Sequence, residues 1–378
     1  MDTVGRKAHI SKKLINMAAM SKTPISAGFE LTARCTLRCK MCYIVSGNFK
    51  PCADEELTAQ QWIDLARQAA EQGLLYLQLT GGEAMMRSDF KEIYQALHKM
   101  GLKISVSTNA TLFNDEYIEF FKNYPPVRFS ISLYGSDNET YEELCGLKNG
   151  YDIVTCNIDK LIAAGLNVKI NLTLTKYNVK DAKGICEFAK SRGLMVTQMS
   201  YTFPPEQTSD YGVDDTRLCA EDAAKVYLQC ESIMFPNERF AEKISALSKR
   251  SLADEDAGGL EFRRNGNKLK CQAARSSYWI NWRGEMLPCV EMPFIKAYPL
   301  QVGFKQAWDE IVQKTDEIVR FPDECTTCNM RDVCFACPAY FYAETGRPDV
   351  LAPNICKYIE NYIKYAREIE KGKSIDEI

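Results

Sequence analysis

Histidine is nearly absent, with 2 in 378 residues. A metal site built on imidazole is thereby nearly excluded. No apolar run approaches the about 18 residues that a membrane-spanning helix needs. The first 20 residues are basic but lack the continuous apolar core of a signal peptide. The expected location is the cytoplasm. No charge excess exists either: 47 basic against 50 acidic residues leave a net charge of −3. Nothing there suits a polyanion, so no nucleic-acid partner and no membrane is expected. Low-complexity segments and repeats are missing. Apolar residues at 46% and charged residues at 26% rule out a disordered chain and a collagen. At roughly 150 residues per domain, the length suggests two or three domains, or one large α/β unit with an appendage.

Against these absences stand 16 cysteines. In a cytosolic protein of this size they are not a disulfide framework. Metal or cluster ligation is the first alternative, provided the spacings cooperate.

The first 250 residues alternate. Strand-like runs fall at Ala27–Thr32, Leu75–Thr80, Lys103–Ser107, Val127–Leu133, Val168–Leu174 and Met195–Ser200. Helix patterns lie between them. Thr58 with Gln61 reads as a capping box, Ser88 and Asn114 as further caps. Helices are expected at Tyr151–Gly165 and Asn178–Gly193, with one amphipathic stretch at Ala220–Ser248. Such alternation implies parallel strands with right-handed crossovers, hence α/β. Six units suit a partial (β/α)6 barrel or a doubly wound sheet, with ligands at the carboxyl ends of the strands. After residue 250 the texture changes. Ser251–Gly259 reads as a linker, and seven cysteines follow between Cys271 and Cys356. An Arg283-Gly284 turn separates two aromatic runs, of which Tyr278–Trp282 reads as hairpin packing. A closing helix is expected from Asn354 to about Lys371. This region is too short and polar for a large core, and metal is the usual substitute.

Cys35, Cys39 and Cys42 are spaced C-x3-C-x2-C directly after the first strand. Three thiolates on one short loop can converge on a cuboidal iron–sulfur cluster. Three protein ligands on four irons leave one iron open, as in catalytic metal sites. The plain alternative is a zinc site or three unconnected buried cysteines. Zinc sites use paired C-x2–4-C hooks, and no second hook lies nearby.

This CxxxCxxC motif, with Tyr43 next and a (β/α)6 pattern around it, resembles the radical S-adenosylmethionine (SAM) superfamily. The resemblance implies that Cys35, Cys39 and Cys42 hold a 4Fe–4S cluster whose open iron binds SAM. Reductive cleavage of SAM then yields a 5′-deoxyadenosyl radical that abstracts hydrogen. Tyr43 would shield the cluster near the adenine. Gly81-Gly82-Glu83, 39 residues past Cys42, matches the family's GGE, although Ala84 stands where proline is usual. Its glycines would let backbone approach the ligand, and Glu83 would hold the SAM ammonium. Ser107, Asn109 and Ser132 sit where the family places ribose and carboxylate contacts. The family's following Asp and Arg are Tyr134 and Cys145 here, with Lys148 as the substitute cation.

The C-terminal array reads Cys271-x12-Gly284-x4-Cys289, then Cys325-x2-Cys328-x5-Cys334-x2-Cys337, then Cys356. It resembles the SPASM domain, which carries two auxiliary 4Fe–4S clusters. By that resemblance, Cys271, Cys289 and Cys337 hold auxiliary cluster I. Cys325, Cys328, Cys334 and Cys356 hold auxiliary cluster II. Seven thiols leave one iron of cluster I without a protein thiolate. A pair of zinc ribbons is the alternative. Cys52, Cys145, Cys156, Cys186, Cys219 and Cys230 read as small buried hydrophobes. The implied domains are an N-terminal extension at 1–26, a radical SAM domain at 27–250, a linker at 251–270 and a SPASM domain at 271–378. The expected function is radical modification of a ribosomally made peptide, by thioether or carbon crosslinking or by epimerisation. Alternatives are formylglycine maturation of sulfatases, small-molecule or cofactor biosynthesis, and a non-catalytic iron–sulfur or zinc regulator. Sulfatase maturases place an Asp directly after the cysteine matching Cys289, whereas this chain has Val290 and then Glu291. The expected partners are a peptide, a low-potential donor such as flavodoxin or ferredoxin, and a separate precursor-recognition protein. The last follows because 34 residues before Cys35 are too few for a winged precursor-binding domain.

Overall fold

Apolar side chains at every second position split the sheet into two faces. The computed structural model describes residues 13–44, 52–204, 213–249, 269, 271–331 and 333–378. Six strands lie parallel: β1 (Ser26–Glu30), β2 (Tyr76–Thr80), β3 (Lys103–Thr108), β4 (Arg128–Ser132), β5 (Val168–Thr173) and β6 (Met195–Met199). Phe29, Leu77, Leu79, Val106, Phe129 and Ile170 share one face, all buried. The intervening positions are Gln78, Ser105, Ser107, Ser130 and Asn171, so the other face is polar. A polar face with every strand pointing the same way gives a ligand somewhere to sit and one end at which to meet it.

The sheet does not stop at the sixth strand. β7 (Ser277–Ile280), from the cysteine-rich segment, pairs in parallel with β1, and β8 (Met286–Leu287) returns antiparallel to it. The order is β6-β5-β4-β3-β2-β1-β7-β8. The aromatic run is therefore a hairpin, as its pattern predicts. Tyr278 anchors it, packing on Phe304 and Trp308 with ring centroids at 5.2 and 5.8 Å. Trp279 lies flat on Gly28, where a Cβ would meet its ring at 2.1 Å.

Most predicted helices form. The Thr58–Gln61 box opens Ala59–Glu71, and Asn114 accepts from Tyr117 N to open Asp115–Asn123. Gly150–Ala163 and Ala182–Ser191 also fall where expected. Ser88 does not cap the helix Phe90–Lys99. The residue before that helix is Asp89, and its carboxylate is bound to Arg87 instead. The single stretch expected at Ala220–Ser248 is two helices, Ala220–Met234 and Asn237–Ser248. They part at Pro236, which has no N–H to continue a helix. Helices Asn138–Cys145, Phe304–Ile318 and Pro338–Thr345 escaped the sequence pattern.

The closing helix, Pro353–Glu370, corrects the view that the C-terminal region lacks a core. Its Ile355, Tyr358, Ile359, Ile363 and Ala366 are buried in the main apolar cluster of the chain. The helix packs on Ala220–Met234 and Asn237–Ser248, so apolar burial holds it as well. The expected linker at Ser251–Gly259 lies outside the described residues. Among the described residues, no helix is long and apolar enough to cross a membrane.

A buried ion network fixes the end of β1. Glu56 accepts from Thr32 Oγ1, from Arg34 Nε and Nη2 at 3.0 and 2.9 Å, and from Arg87 Nη1 at 3.3 Å. Arg87 also donates to the carbonyls of Leu31 and Leu57 at 2.9 and 2.8 Å. Glu56→Ala leaves the Arg87 charge buried beside a broken network. Because Arg87 keeps Asp89 as a partner, the change should cost about 1–3 kcal/mol, read as a lower denaturant midpoint, and Arg34→Ala, partly in water, should cost less.

Candidate active site

The carboxyl ends of β1, β2 and β3 meet around the first cysteine loop. The β1 chain continues through Thr32, Ala33 and Arg34, and the turn after β2 runs hard against it. Gly82 N donates to Thr32 O and Glu83 N to Arg34 O, both at 2.8 Å. A Cβ on Gly81, whose φ is +147°, would lie 2.4 Å from Thr32 O. One on Gly82 would lie 2.4 Å from Arg34 O. These glycines let the backbone leading into the cysteine loop approach β2, a role additional to the one expected of them toward a ligand.

The Glu83 carboxylate, expected with the strand edge to hold the SAM ammonium, is 0% exposed and accepts from Thr108 Oγ1 and Asn109 N at 2.8 Å and from Met85 N at 3.3 Å. Burial raises its pKa, and the backbone and hydroxyl donors oppose that. Glu83 therefore joins the end of β3 to the glycine turn. Asn109 in turn donates Nδ2 to Cys35 Sγ at 3.4 Å and to Thr36 Oγ1 at 3.0 Å. Asn109 thus braces the cysteine loop. Ser107 accepts from Gln78 Nε2 at 2.9 Å on the polar face, and Ser132 ends β4 with its carbonyl accepting from Tyr141 OH. Lys148 does not replace the missing arginine. It is exposed, on an outer surface with Glu139, Glu142 and Glu143. Cys145 sits fully buried against Cys39, where backbone bonds Arg38 N to Cys145 O and Lys40 N to Leu144 O join the two segments. Cys186 and Cys230 are also buried, against each other. Cys52, Cys156 and Cys219 are exposed, which corrects their reading as core residues.

The ten spaced cysteines gather into three groups. Cys35 feels the charges of Cys39 and Cys42, and burial pushes its thiol up to about 12. Cys289 and Cys337 share a second group with Cys271. Cys325, Cys328, Cys334 and Cys356 make the third. Burial first, and neighbouring thiols after it, raise the pKa of Cys35, Cys289, Cys325, Cys337 and Cys356, so the groups ask for a multivalent cation. Among the described residues, no three or more His, Cys, Asp or Glu side chains close tightly enough to hold a single metal ion. Sets of three and four cysteine thiols are the soft donors that iron–sulfur clusters take, so the residues present fit such clusters.

Two residues that spacing alone did not single out join the first group to the second. Glu30, last in β1, is 0% exposed and accepts from Tyr43 OH at 3.0 Å. Burial pushes its carboxyl from 4.5 up to about 7, and Glu291, beside Cys289, adds repulsion. Trp282, from the hairpin, packs with Ala33 and Ile44 against Cys42 and excludes water there. Both are invisible to motif reading because Glu30 lacks a motif partner and Trp282 arrives by a contact 240 residues long. A raised carboxyl pKa means that ionised Glu30 is unfavourable in the fold. Its stabilising share is complete below about 4.5 and is lost as pH rises through about 7. Glu30→Gln should flatten stability between pH 5 and pH 8 and gain up to roughly 3 kcal/mol at the alkaline end. Urea midpoints across that range measure it; parallel profiles for parent and variant would contradict it.

Residues 29–189 match the radical SAM superfamily, and the chain carries a radical SAM domain. Proteins of this superfamily use SAM and a 4Fe–4S cluster. Over 340 residues the chain is 24% identical to the AdoMet-dependent heme synthase of Methanosarcina barkeri, covering 87% of this chain and 95% of that one. It is 31% identical over 182 residues to the sporulation killing factor maturation protein SkfB of Bacillus subtilis, covering 48% and 43%. Its fold is that of Streptococcus suis SuiB bound to its precursor peptide SuiA, with a TM-score of 0.66 over 89% of this chain and 76% of that one, at 18% identity.

Proposed function

We propose that the chain is a radical SAM enzyme that modifies a ribosomally made peptide, with a SPASM-type C-terminal segment. The observation that carries the reading is the gathering of Cys35, Cys39 and Cys42 at the carboxyl end of β1, beside the glycine turn. These three would hold the cluster that, once reduced, cleaves SAM to methionine and a 5′-deoxyadenosyl radical for hydrogen abstraction. The chain's own part is positioning. Asn109 steadies Cys35, Glu83 fixes the turn that SAM meets, Trp282 keeps water from Cys42, and Tyr43, held by Glu30, would shield the cluster near the adenine. Cys271, Cys289 and Cys337 would hold one auxiliary cluster, and Cys325, Cys328, Cys334 and Cys356 the other. Glu291 faces the three-thiol group and is a carboxylate that could complete it. A flavodoxin or ferredoxin would deliver the electron, a separate protein would present the precursor, and the setting is the cytoplasm. SkfB and SuiB, named for a killing factor and a precursor peptide, support the peptide reading.

The heme synthase match, which spans nearly the whole of that relative, leaves cofactor biosynthesis on a heme precursor as the second reading. Reconstituted protein with SAM and dithionite should form 5′-deoxyadenosine and change the mass of a short peptide encoded beside its gene. Deuterium passing from that peptide into 5′-deoxyadenosine confirms hydrogen abstraction. Conversion of a heme precursor, with the peptide left untouched, overturns the peptide reading.

A further inference from the structure

A cavity of about 420 Å³ opens at the end of β6, between the helices Ala220–Met234, Asn237–Ser248 and Pro353–Glu370 and the cysteine hook. Its volume lies within the roughly 300–1,000 Å³ of small-ligand sites. Tyr201, Phe203, Phe335, Tyr340, Tyr358 and Tyr362 present rings to it. The rings brace one another: Phe203 stacks on Tyr340 at 3.9 Å, and Phe335 stands edge-on to Tyr358 at 5.2 Å. Three of the four hydroxyls on these rings are committed elsewhere. Tyr358 shares a hydrogen bond with Ser200 at 3.2 Å, Tyr201 donates to Glu344 at 2.8 Å, and Tyr362 donates to Glu231 at 3.4 Å. The charges are committed as well. Arg217 pairs with Glu344, and Lys243 with Glu231 at 2.5 Å. A carboxylate ligand therefore meets two cations already neutralised, and an apolar ring meets ring faces.

Among the lining side chains, one buried polar atom lacks a partner. Gln198 lines the cavity and donates Nε2 to Tyr227 O at 2.9 Å, while its buried Oε1 has no hydrogen-bond partner. A buried acceptor without a donor is costly unless a ligand or a water supplies one. The position also matters. Phe335 lies between Cys334 and Cys337 in sequence, and Tyr340 is within electrostatic reach of Cys271, Cys289 and Cys337. Two lining residues, Phe335 and Tyr340, thus connect the cavity to the segments that carry the auxiliary cysteines.

We propose that this cavity holds a tryptophan or tyrosine side chain of the substrate peptide, its N–H or O–H donated to Gln198 Oε1. The proposal rests on the peptide reading and names the residue class that the enzyme selects. Binding needs no turnover, so it can be tested apart from catalysis. With SAM-loaded holoenzyme, equilibrium dialysis should show N-acetyl-tryptophanamide and N-acetyl-tyrosinamide binding roughly fivefold tighter than N-acetyl-phenylalaninamide, the worth of one neutral hydrogen bond. N-acetyl-leucinamide should bind more weakly still. Gln198→Met should erase the preference over phenylalanine while keeping the phenylalanine amide bound. Met199→Trp, at a half-exposed rim position that the fold tolerates, should block all four probes. Equal binding of the aromatic and leucine amides overturns the proposal, as does a preference that survives Gln198→Met. Displacement of the aromatic amides by a heme precursor overturns it too. If 5′-deoxyadenosine still forms while the probes fail, the cavity assignment falls and the radical assignment stands.

Discussion

Replacing Cys35, Cys39 and Cys42 together by alanine is expected to abolish 5′-deoxyadenosine formation while leaving about two-thirds of the iron. The first loss follows because these thiols, at the end of β1, are the set that would leave an iron open for SAM. The second follows from the separation of the groups: the thiols that act on Cys289 and on Cys325 come from residues 271–356, and none belongs to the first loop. The surrounding backbone should persist. Glu56 with Arg34 and Arg87 holds the start of the loop, and Arg38 and Lys40 hold its middle through Cys145 and Leu144. Iron assay, circular dichroism and chromatographic detection of 5′-deoxyadenosine read the three consequences separately. Continued SAM cleavage by the triple variant would remove these cysteines from the chemistry.

The complementary replacement has the second large effect. Changing Cys325, Cys328, Cys334 and Cys356 to alanine should remove about one-third of the iron and end product formation, while dithionite-driven SAM cleavage without substrate continues. The closing helix should stay in place, because Ile355, Ile359 and Ile363 are buried independently of Cys356. The short hook around Cys325–Cys334 has fewer apolar anchors and should become the first site of proteolysis. Limited proteolysis with mass spectrometry locates the cut. A helix that unfolds with the hook would mean that metal, rather than apolar burial, secures the C-terminus.

Much of this architecture is legible in the sequence because it follows from local rules. The period-2 strands, the Thr58 box, the Asn114 cap and the cysteine spacings each depend on residues a few positions apart. What escaped depends on distant contacts. Nothing near Ser277 announces that β7 will pair with β1, or that Trp282 will cover Cys42. Glu83 reads as a ligand contact in a motif, and the motif gives no sign of the two donors at the end of β3 that hold its carboxylate. Lys148 reads as a substitute cation by number, but it is exposed beside Glu139, Glu142 and Glu143. Cys52, Cys156 and Cys219 show that cysteine composition alone does not decide burial. Pro236 carried a plain signal, the missing N–H, against reading Ala220–Ser248 as one helix.

The central claim is that ten cysteines in three groups hold three cubanes. Its most direct test is iron, acid-labile sulfide and zinc per chain after anaerobic reconstitution. The expected result is about 12 irons with about 12 sulfides and no stoichiometric zinc. Zinc in place of iron, or only about four irons per chain, would contradict the claim and leave the C-terminal cysteines without their assigned role.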